Sequence, residues 1–231
     1  MRTIEEIRKD NKPIIFLGSS YNIQNLVELC QSSSRTVVGL IDSDYSSQTK
    51  FCGLPVLDQD KYLNNKDDYE FFVATWWQPF QNSVHIRDRQ KRLMFLDWLE
   101  EYNLVGATLV HNTAVVSPSA KIARNVSIGA LSILVNNSQI HQDVNIREQC
   151  YISHNVEINN NSVIQIKATI TGDITIGHNS YVGIASTLTN SRPLDPMRIG
   201  NHVIIHPNQL IVESVPDNTI VSYKKPSFNI G

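Results

Sequence analysis

The stretch VVSPSAKIARNVSIGALSILVNNSQIHQDVNI, residues 115–146, carries a branched aliphatic side chain at every sixth position. The spacing continues unbroken to residue 188, so thirteen consecutive positions share it: Val116, Ile122, Ile128, Leu134, Ile140, Ile146, Ile152, Ile158, Ile164, Ile170, Ile176, Val182 and Leu188. A small or medium side chain lies four residues after each of the first twelve. After an interruption the pattern resumes at Ile199, Ile205 and Ile211.

A period of six fits neither the 3.6-residue turn of an α-helix nor the alternation of a long strand. It is typical of a chain that runs a short strand, turns and repeats, with one bulky side chain per unit directed inward. Three units would form a triangular coil of about 18 residues, and coils would stack at about 4.8 Å, the spacing of paired strands. Asn and Gly recur between the aliphatic positions, as expected for turns with positive φ. The repeat therefore predicts a parallel β-helix.

Two segments carry a resemblance to a known family. LVHNTAVVSPSAKIARNVSIGA (109–130) and VPDNTIV (215–221) resemble the start and the end of the β-helix in hexapeptide-repeat acyltransferases. The resemblance is strongest to bacterial sugar acetyltransferases of the sialic-acid and bacillosamine type, and it covers the N-terminal half more loosely. It implies a left-handed β-helix, a homotrimer, acetyl-CoA as co-substrate and a nucleotide-linked sugar as acceptor. The spacing alone shows neither handedness nor assembly.

Residues 1–108 are predicted to form a separate α/β domain, with the β-helix domain spanning 109–231. Predicted strands and helices alternate, the strands at 12–20, 36–42 and 69–75 and the helices at 22–33 and 85–102. This alternation predicts a small Rossmann-like parallel sheet with helices on its faces. On the last helix, the side chains expected to face inward are Ile86, Leu93, Leu96 and Leu99.

Parallel sheets of this kind bind ligands at the carboxyl ends of their strands. Only Gly18 stands where a dinucleotide fingerprint needs three glycines, which argues against tight NAD binding. Asp42 and Asp44 end the second strand, where they can accept hydrogen bonds from a ribose or a base, and Ser19 lies in the first turn. In the similar sugar acetyltransferases this domain holds the nucleotide, and an acidic pair follows this strand. A purely structural domain is the alternative.

Trp76 opens the segment WWQPF that follows the third strand. An aromatic side chain at this edge can stack on a base or a sugar ring. The alternative is that the cluster seals an interface between domains or subunits.

His154 is the candidate general base for acetyl transfer, which needs a group that accepts a proton from the attacking amine or hydroxyl. Of the seven histidines, only this one lies in a context, CYISHN (150–155), that resembles the catalytic-histidine coil of the family. Stacking by 18 residues puts Gly172 above it, which should leave open space beside the ring. Glu157 and Asp173 are the nearby acids that could orient the ring. A solvated histidine in a degenerate repeat is the alternative.

Cys150 occupies an inward small position of the repeat, so a buried core thiol is the favoured interpretation rather than a nucleophile. Direct transfer in a ternary complex is therefore expected.

For acetyl-CoA, the resemblance implies backbone contacts near Gly183, Ala185 and Gly200. Lys224 can meet the CoA phosphates, although a surface lysine is often only solvated. Residues 190–198 interrupt the repeat and should project as a loop.

The composition of the chain argues against several other classes of protein. A formal net charge of −2 gives no reason to expect a nucleic-acid partner, and no apolar stretch is long enough to span a membrane. The three cysteines lack metal-ligand spacing and are odd in number, so neither a metal site nor a disulfide framework is indicated. No secretory signal is recognisable at residues 1–18. These features predict a reduced, cytoplasmic protein.

The leading functional hypothesis is an acetyl-CoA-dependent N-acetyltransferase that acts on a nucleotide-linked amino sugar in surface glycan biosynthesis. A sialic-acid-type sugar O-acetyltransferase would use the same base on a hydroxyl. A non-catalytic β-helix that binds a glycan or another partner is the third hypothesis.

Overall fold

The computed structural model describes residues 1–20, 22–47, 49–75, 83–191 and 195–222, and for residues 83–89 it describes the backbone alone. The helices are α1 (Ile4–Ile7), α2 (Ile23–Ser32), α3 (Gln59–Asn64) and α4 (Ser83–Glu101), with a 3-10 turn at Lys66–Asp68. The strands before the β-helix are β1 (Ile14–Leu17), β2 (Val37–Ile41), β3 (Lys50–Phe51), β4 (Leu54–Pro55) and β5 (Glu70–Val73).

The N-terminal part contains a parallel sheet of three strands in the order β2-β1-β5. The central strand β1 is buried on both faces because helices cover both sides. Ile14 and Phe16 pack in the cluster that includes the α2 side chains, whereas Ile15 and Leu17 pack with α4. The predicted parallel strands are thus present, but three strands do not define a Rossmann-like domain, so that assignment stays a prediction.

The buried face of α4 differs from the predicted one. Leu93 is 45% exposed, whereas Arg92, Phe95 and Leu99 are buried. Leu96 is half-buried, and the side chain of Ile86 lies outside the described residues. The prediction for Leu93 is wrong because an arginine, Arg92, occupies the inward position one residue earlier.

The β-helix consists of eighteen short strands arranged on three faces. Face 1 contains β7 (Val115–Val116), β10 (Ile133–Leu134), β13 (Tyr151–Ile152), β16 (Thr169–Ile170), β19 (Thr187–Leu188) and β22 (Leu210–Ile211). Face 2 contains β8 (Lys121–Ile122), β11 (Gln139–Ile140), β14 (Glu157–Ile158), β17 (Ile174–Ile176) and β20 (Met197–Ile199). Face 3 contains β6 (Leu109–Val110), β9 (Ser127–Ile128), β12 (Asn145–Ile146), β15 (Val163–Ile164), β18 (Tyr181–Val182), β21 (Ile204–Ile205) and β23 (Ile220–Val221).

The predicted aliphatic ladder forms the core of these coils. Up to Leu188, strands pair in parallel with partners 18 residues apart, as in Leu134 with Ile152 and Ile152 with Ile170. Val116 is half-buried at the first coil, and the other twelve ladder residues are at most 1% exposed. The small residues between them are buried as well, Cys150 included. The predicted parallel β-helix is confirmed.

The turns of the β-helix use Asn and Asp at positions of positive φ, and glycine where neighbouring coils approach closely. Positive φ occurs at every sixth residue from Asn125 to Ala185, mostly at Asn and Asp, whose short polar side chains tolerate that conformation. Among the described glycines only Gly18 and Gly53 have positive φ, so the expectation that β-helix glycines serve this purpose is wrong. They instead allow close stacking: a Cβ on Gly129 would lie 2.7 Å from the backbone nitrogen of Glu148.

The first residues of the chain pack against the β-helix. The backbone of Arg2 exchanges two hydrogen bonds with Ile122, and Ile4 and Ile7 lie in the β-helix core. This segment therefore covers the open first coil and occupies the edge of face 2, where unpaired backbone groups would otherwise be left. Among the described residues, no helix is long and apolar enough to cross a membrane.

Arg92 joins the two parts of the molecule. Its guanidinium donates to the carbonyl of Thr75 at 2.8 Å, to the carbonyl of Asp143 at 2.9 Å and to the Asn161 side chain at 2.8 Å. Burial lowers the pKa of Arg92, an effect that the nearby Asp143 carboxylate opposes. Since an unpaired buried cation is costly, these three acceptors fix where α4 meets the β-helix.

Truncation of a buried ladder residue should lower the stability of the protein more than truncation of an exposed isoleucine. Ile170→Ala should lower the free energy of unfolding by about 2–5 kcal/mol, because it leaves a cavity in a closed core. Ile184→Ala is the matched control: this isoleucine is 43% exposed, so about 1 kcal/mol or less should be lost. Urea-induced unfolding followed by circular dichroism measures both. Equal losses would contradict the assignment of Ile170 to the core.

Candidate active site

His154 lies at the corner where face 1 turns into face 2. It follows β13, and Asn155 beside it takes the positive φ of the turn. The Asn155 N–H donates to the Asn136 carbonyl of the coil below, and the His154 carbonyl accepts from Asp173 of the coil above, each at 3.2 Å. The imidazole side chain remains 48% exposed. A rigid backbone thus presents the ring to solvent.

The ring occupies the space that a side chain at Gly172, in the coil above, would fill. A Cβ on Gly172 would lie 2.2 Å from Cε1 of His154, 2.5 Å from Nε2 and 2.7 Å from Nδ1. The expectation of open space beside the ring is therefore only partly right, because the ring itself fills the gap that glycine leaves. Glycine at this position decides where the imidazole lies.

Of the two candidate acids, Asp173 is the one beside His154. Its Oδ2 lies 3.9 Å from Nδ1, which is too far for a direct hydrogen bond. Asn155 donates to Asp173 Oδ1 at 2.9 Å and lies 3.4 Å from Nδ1, so it spans the two groups. Glu157 instead contacts His141, with Oε1 2.8 Å from Nε2.

The interruption of the repeat occurs at this same corner. Asn190, 18 residues after Gly172, donates its N–H to the Thr171 hydroxyl at 3.3 Å. Residues 192–194 of the predicted loop lie outside the described residues, and Met197 and Arg198 belong to β20 rather than to the loop. The described ends of the loop line a cavity of about 300 Å³ together with Val212, Glu213 and Ser214.

The carboxyl edge of the N-terminal sheet brings Ser19, Asp42 and Asp44 together. Asp42 is buried and accepts from the N–H of Ser19 at 2.7 Å and of Asp44 at 2.9 Å. The ammonium of Lys91 on α4, which sequence reasoning missed, contacts Asp42 and lies 2.7 Å from Asp44. Asp42 therefore organises the edge, and Asp44, 36% exposed in its side chain, is the carboxylate that solvent reaches.

The predicted cofactor residues lie at other corners. Gly183 and Ala185 are in the turn from face 3 to face 1, and Gly200 is in the turn from face 2 to face 3. Both glycines permit stacking: a Cβ on Gly183 would lie 2.5 Å from backbone atoms of the next coil, and one on Gly200 would lie 2.4 Å from Asp217. One chain therefore does not gather them around His154. Trp76 and Lys224 lie outside the described residues.

Cys150 is a core thiol. It is 1% exposed, and burial raises its pKa to about 12, so at neutral pH it is protonated and a poor nucleophile. Elsewhere in the described ranges, no cluster of His, Cys, Asp or Glu side chains has an arrangement that could hold a metal ion. The exposed imidazole of His154 is the better candidate for chemistry.

Gly172→Ala should displace the His154 ring, because the added methyl cannot share its space. No positive φ is required at Gly172, so the backbone should tolerate alanine and the melting temperature should change little. NMR of the His154 ring reports the displacement as a changed chemical shift. Gly106→Ala is the control, since its added Cβ would lie 3.3 Å from the nearest atom, on Arg124. An unchanged His154 spectrum in Gly172→Ala would contradict this geometry.

The architecture is a small three-stranded α/β part followed by a hexapeptide-repeat parallel β-helix. The sequence matches no protein-family model, and it matches no curated protein sequence.

Solved structures share this fold at low sequence identity. A mutant of perosamine N-acetyltransferase from Caulobacter crescentus, in complex with CoA and GDP-perosamine, superposes with a TM-score of 0.74 at 18% identity, over 90% of this chain and 92% of that chain. The acetyltransferase domain of PglB from Neisseria gonorrhoeae, in complex with acetyl coenzyme A, gives 0.73 at 20% identity over 91% and 96%. WeeI from Acinetobacter baumannii gives 0.73 at 20% identity over 90% and 95%. These similarities support the predicted left-handed parallel β-helix.

Proposed function

We propose that this chain is an acetyl-CoA-dependent acetyltransferase that acts on the amino group of a nucleotide-linked sugar in surface glycan biosynthesis. The observation that carries the proposal is the exposed His154 imidazole, set by Gly172 and Asp173 at a rigid corner of the β-helix. The second part of the proposed site is the carboxylate-lined edge of the N-terminal sheet, which would bind the nucleotide as in a Rossmann-like domain. The perosamine N-acetyltransferase of similar fold binds CoA and GDP-perosamine, which agrees with this pair of ligands.

The proposed reaction needs few protein groups. The amine nitrogen attacks the thioester carbonyl carbon, a C–N bond forms, and the C–S bond then breaks to release the CoA thiol. His154 accepts the proton that the amine loses, with Asp173 beside the resulting imidazolium, and returns it to the departing CoA sulfur, so that CoA leaves as the thiol. Backbone N–H groups donate to the oxyanion of the tetrahedral intermediate. The buried, protonated Cys150 takes no part, so transfer is direct.

The proposed assembly is a homotrimer with the site between subunits. Face 1 exposes a column of three stacked apolar side chains, Val115, Ile133 and Tyr151, between 39% and 63% exposed, and Leu210 lies on the same face beyond Thr169 and Thr187. An exposed apolar surface of this kind favours burial against another copy. Tyr151 precedes His154 by three residues, so a copy packed on face 1 would bring its own wall beside the imidazole. This arrangement would explain why the cofactor residues lie at other corners.

We propose that the enzyme works in the cytoplasm.

His154→Ala should lower turnover by about 10²–10⁴-fold if His154 is the general base, with the fold retained. Release of free CoA thiol, followed with a panel of nucleotide-linked amino sugars, measures this. His178→Ala is the control, because this turn histidine belongs to a different corner. Thiol release that depends only on free sialic acids would favour the O-acetyltransferase. Undiminished turnover in His154→Ala would reject the mechanism, and no turnover with any acceptor would favour a binding protein.

Ile133→Glu should dissociate the trimer, because it places a charge in the apolar column of face 1. Sedimentation velocity should give about three times the chain mass of 26.1 kDa for the wild type and the single-chain mass for the variant. Lys121→Glu on face 2 provides the control and should leave the assembly intact. A monomeric wild type, or a variant that stays trimeric, would contradict this assembly.

A further inference from the structure

Face 2 of the β-helix presents a polar wall next to His154. Its outward side chains contrast with the apolar column of face 1, and they are Lys121, Gln139, Glu157, Thr175 and Arg198. His154 lies at the corner between the two walls. An acceptor sugar, which carries several hydroxyl groups, is better matched to the polar wall than to the apolar one.

A histidine–carboxylate pair lies on this wall and has no part in the proton transfer described above. His141 follows β11 directly, and Glu157 is the first residue of β14 in the next coil. Nε2 of His141 lies 2.8 Å from Oε1 of Glu157. The backbone N–H of His141 also donates to the backbone carbonyl of Ile158 at 2.9 Å. This bond joins the two strands that carry the His141 and Glu157 side chains. The side chains remain 29% and 39% exposed, and they are therefore held in place yet open to solvent.

The pair lies between the two parts of the proposed site. Glu157 is three residues from His154, so their Cα atoms are at most about 11 Å apart. On the other side, the turn that begins at His141 includes Asp143, whose carbonyl accepts from Arg92. Arg92 also donates to Thr75, just beyond the carboxyl end of β5. A ligand that extends from this sheet edge to His154 along face 2 passes over the pair.

We propose that Glu157 binds ring hydroxyl groups of the acceptor sugar and that His141 is the positioning residue that holds its carboxylate. This inference rests on the proposed acetyl transfer to a nucleotide-linked sugar. A carboxylate offers about four acceptor positions, and His141 uses one of them, which leaves room for sugar hydroxyls. Hydrogen bonds to a charged acceptor are the stronger kind and carry selectivity for a hydroxyl over a hydrogen at the same carbon.

Kinetics of Glu157→Gln test the proposal. The KM for the nucleotide-linked amino sugar should rise by about 10- to 100-fold, the loss expected for charged hydrogen bonds. The KM for acetyl-CoA and the kcat at saturating sugar should change little, because neither acetyl-CoA nor the proton transfer involves this carboxylate. Lys121→Gln removes a charge two coils away on the same wall, and its kinetics should match the wild type.

Two further measurements separate recognition from a structural role. His141→Gln keeps an N–H donor and should retain most of the affinity for the sugar, whereas His141→Ala should raise the KM. A deoxy analogue of the sugar should be penalised by the wild type but much less by Glu157→Gln.

An active wild type with an unchanged sugar KM in Glu157→Gln, or with the same penalty for the deoxy analogue in both proteins, would overturn the subsite alone. A wild type that acetylates no nucleotide-linked sugar would reject the proposed function, and the subsite with it.

Discussion

Stacking of aliphatic side chains inside the triangular coil is the interaction on which the rest of this molecule depends. Each ladder residue contacts the equivalent residue 18 positions away, so every coil fixes the height and rotation of the next. The turns between the faces are therefore held at fixed positions relative to the turns of the neighbouring coils. His154, Gly172 and Asp173 meet because the ladder aligns their coils, and Glu157 meets His141 for the same reason. A catalytic or binding group built on such a scaffold needs little ordering when a ligand arrives.

The second constraint is the buried junction between the two parts. A charged guanidinium away from water is tolerated only when its donors are satisfied, and Arg92 has acceptors on both parts of the chain. Neighbouring Lys91 contacts the two carboxylates at the sheet edge. One turn of α4 therefore organises the proposed nucleotide site and also sets its position relative to the β-helix. The geometry between this sheet edge and His154 follows from these two adjacent residues.

The sequence was sufficient for the parallel β-helix because a period of six fits neither an α-helix nor a long strand. It also placed His154 in a turn, since the repeat specifies which residues face inward. The orienting acid was harder to predict, because an 18-residue stack gives rows of neighbours but not side-chain directions, and Glu157 turns toward His141 rather than His154. Arg92 was missed because a charge at an inward helical position looks like an exposed residue. Its spacing from Phe95 and Leu99 was the available signal.

The most direct test of the proposed site is a crystal structure of the protein with CoA and a nucleotide-linked amino sugar. We expect the sugar amine within about 3.2 Å of His154, a hydrogen-bond distance, with the CoA sulfur beside it and the nucleotide at the edge that carries Asp44. Binding of both ligands away from this corner, for example in the cleft of about 420 Å³ between α2 and the β-helix that His111 and Arg147 line, would contradict it.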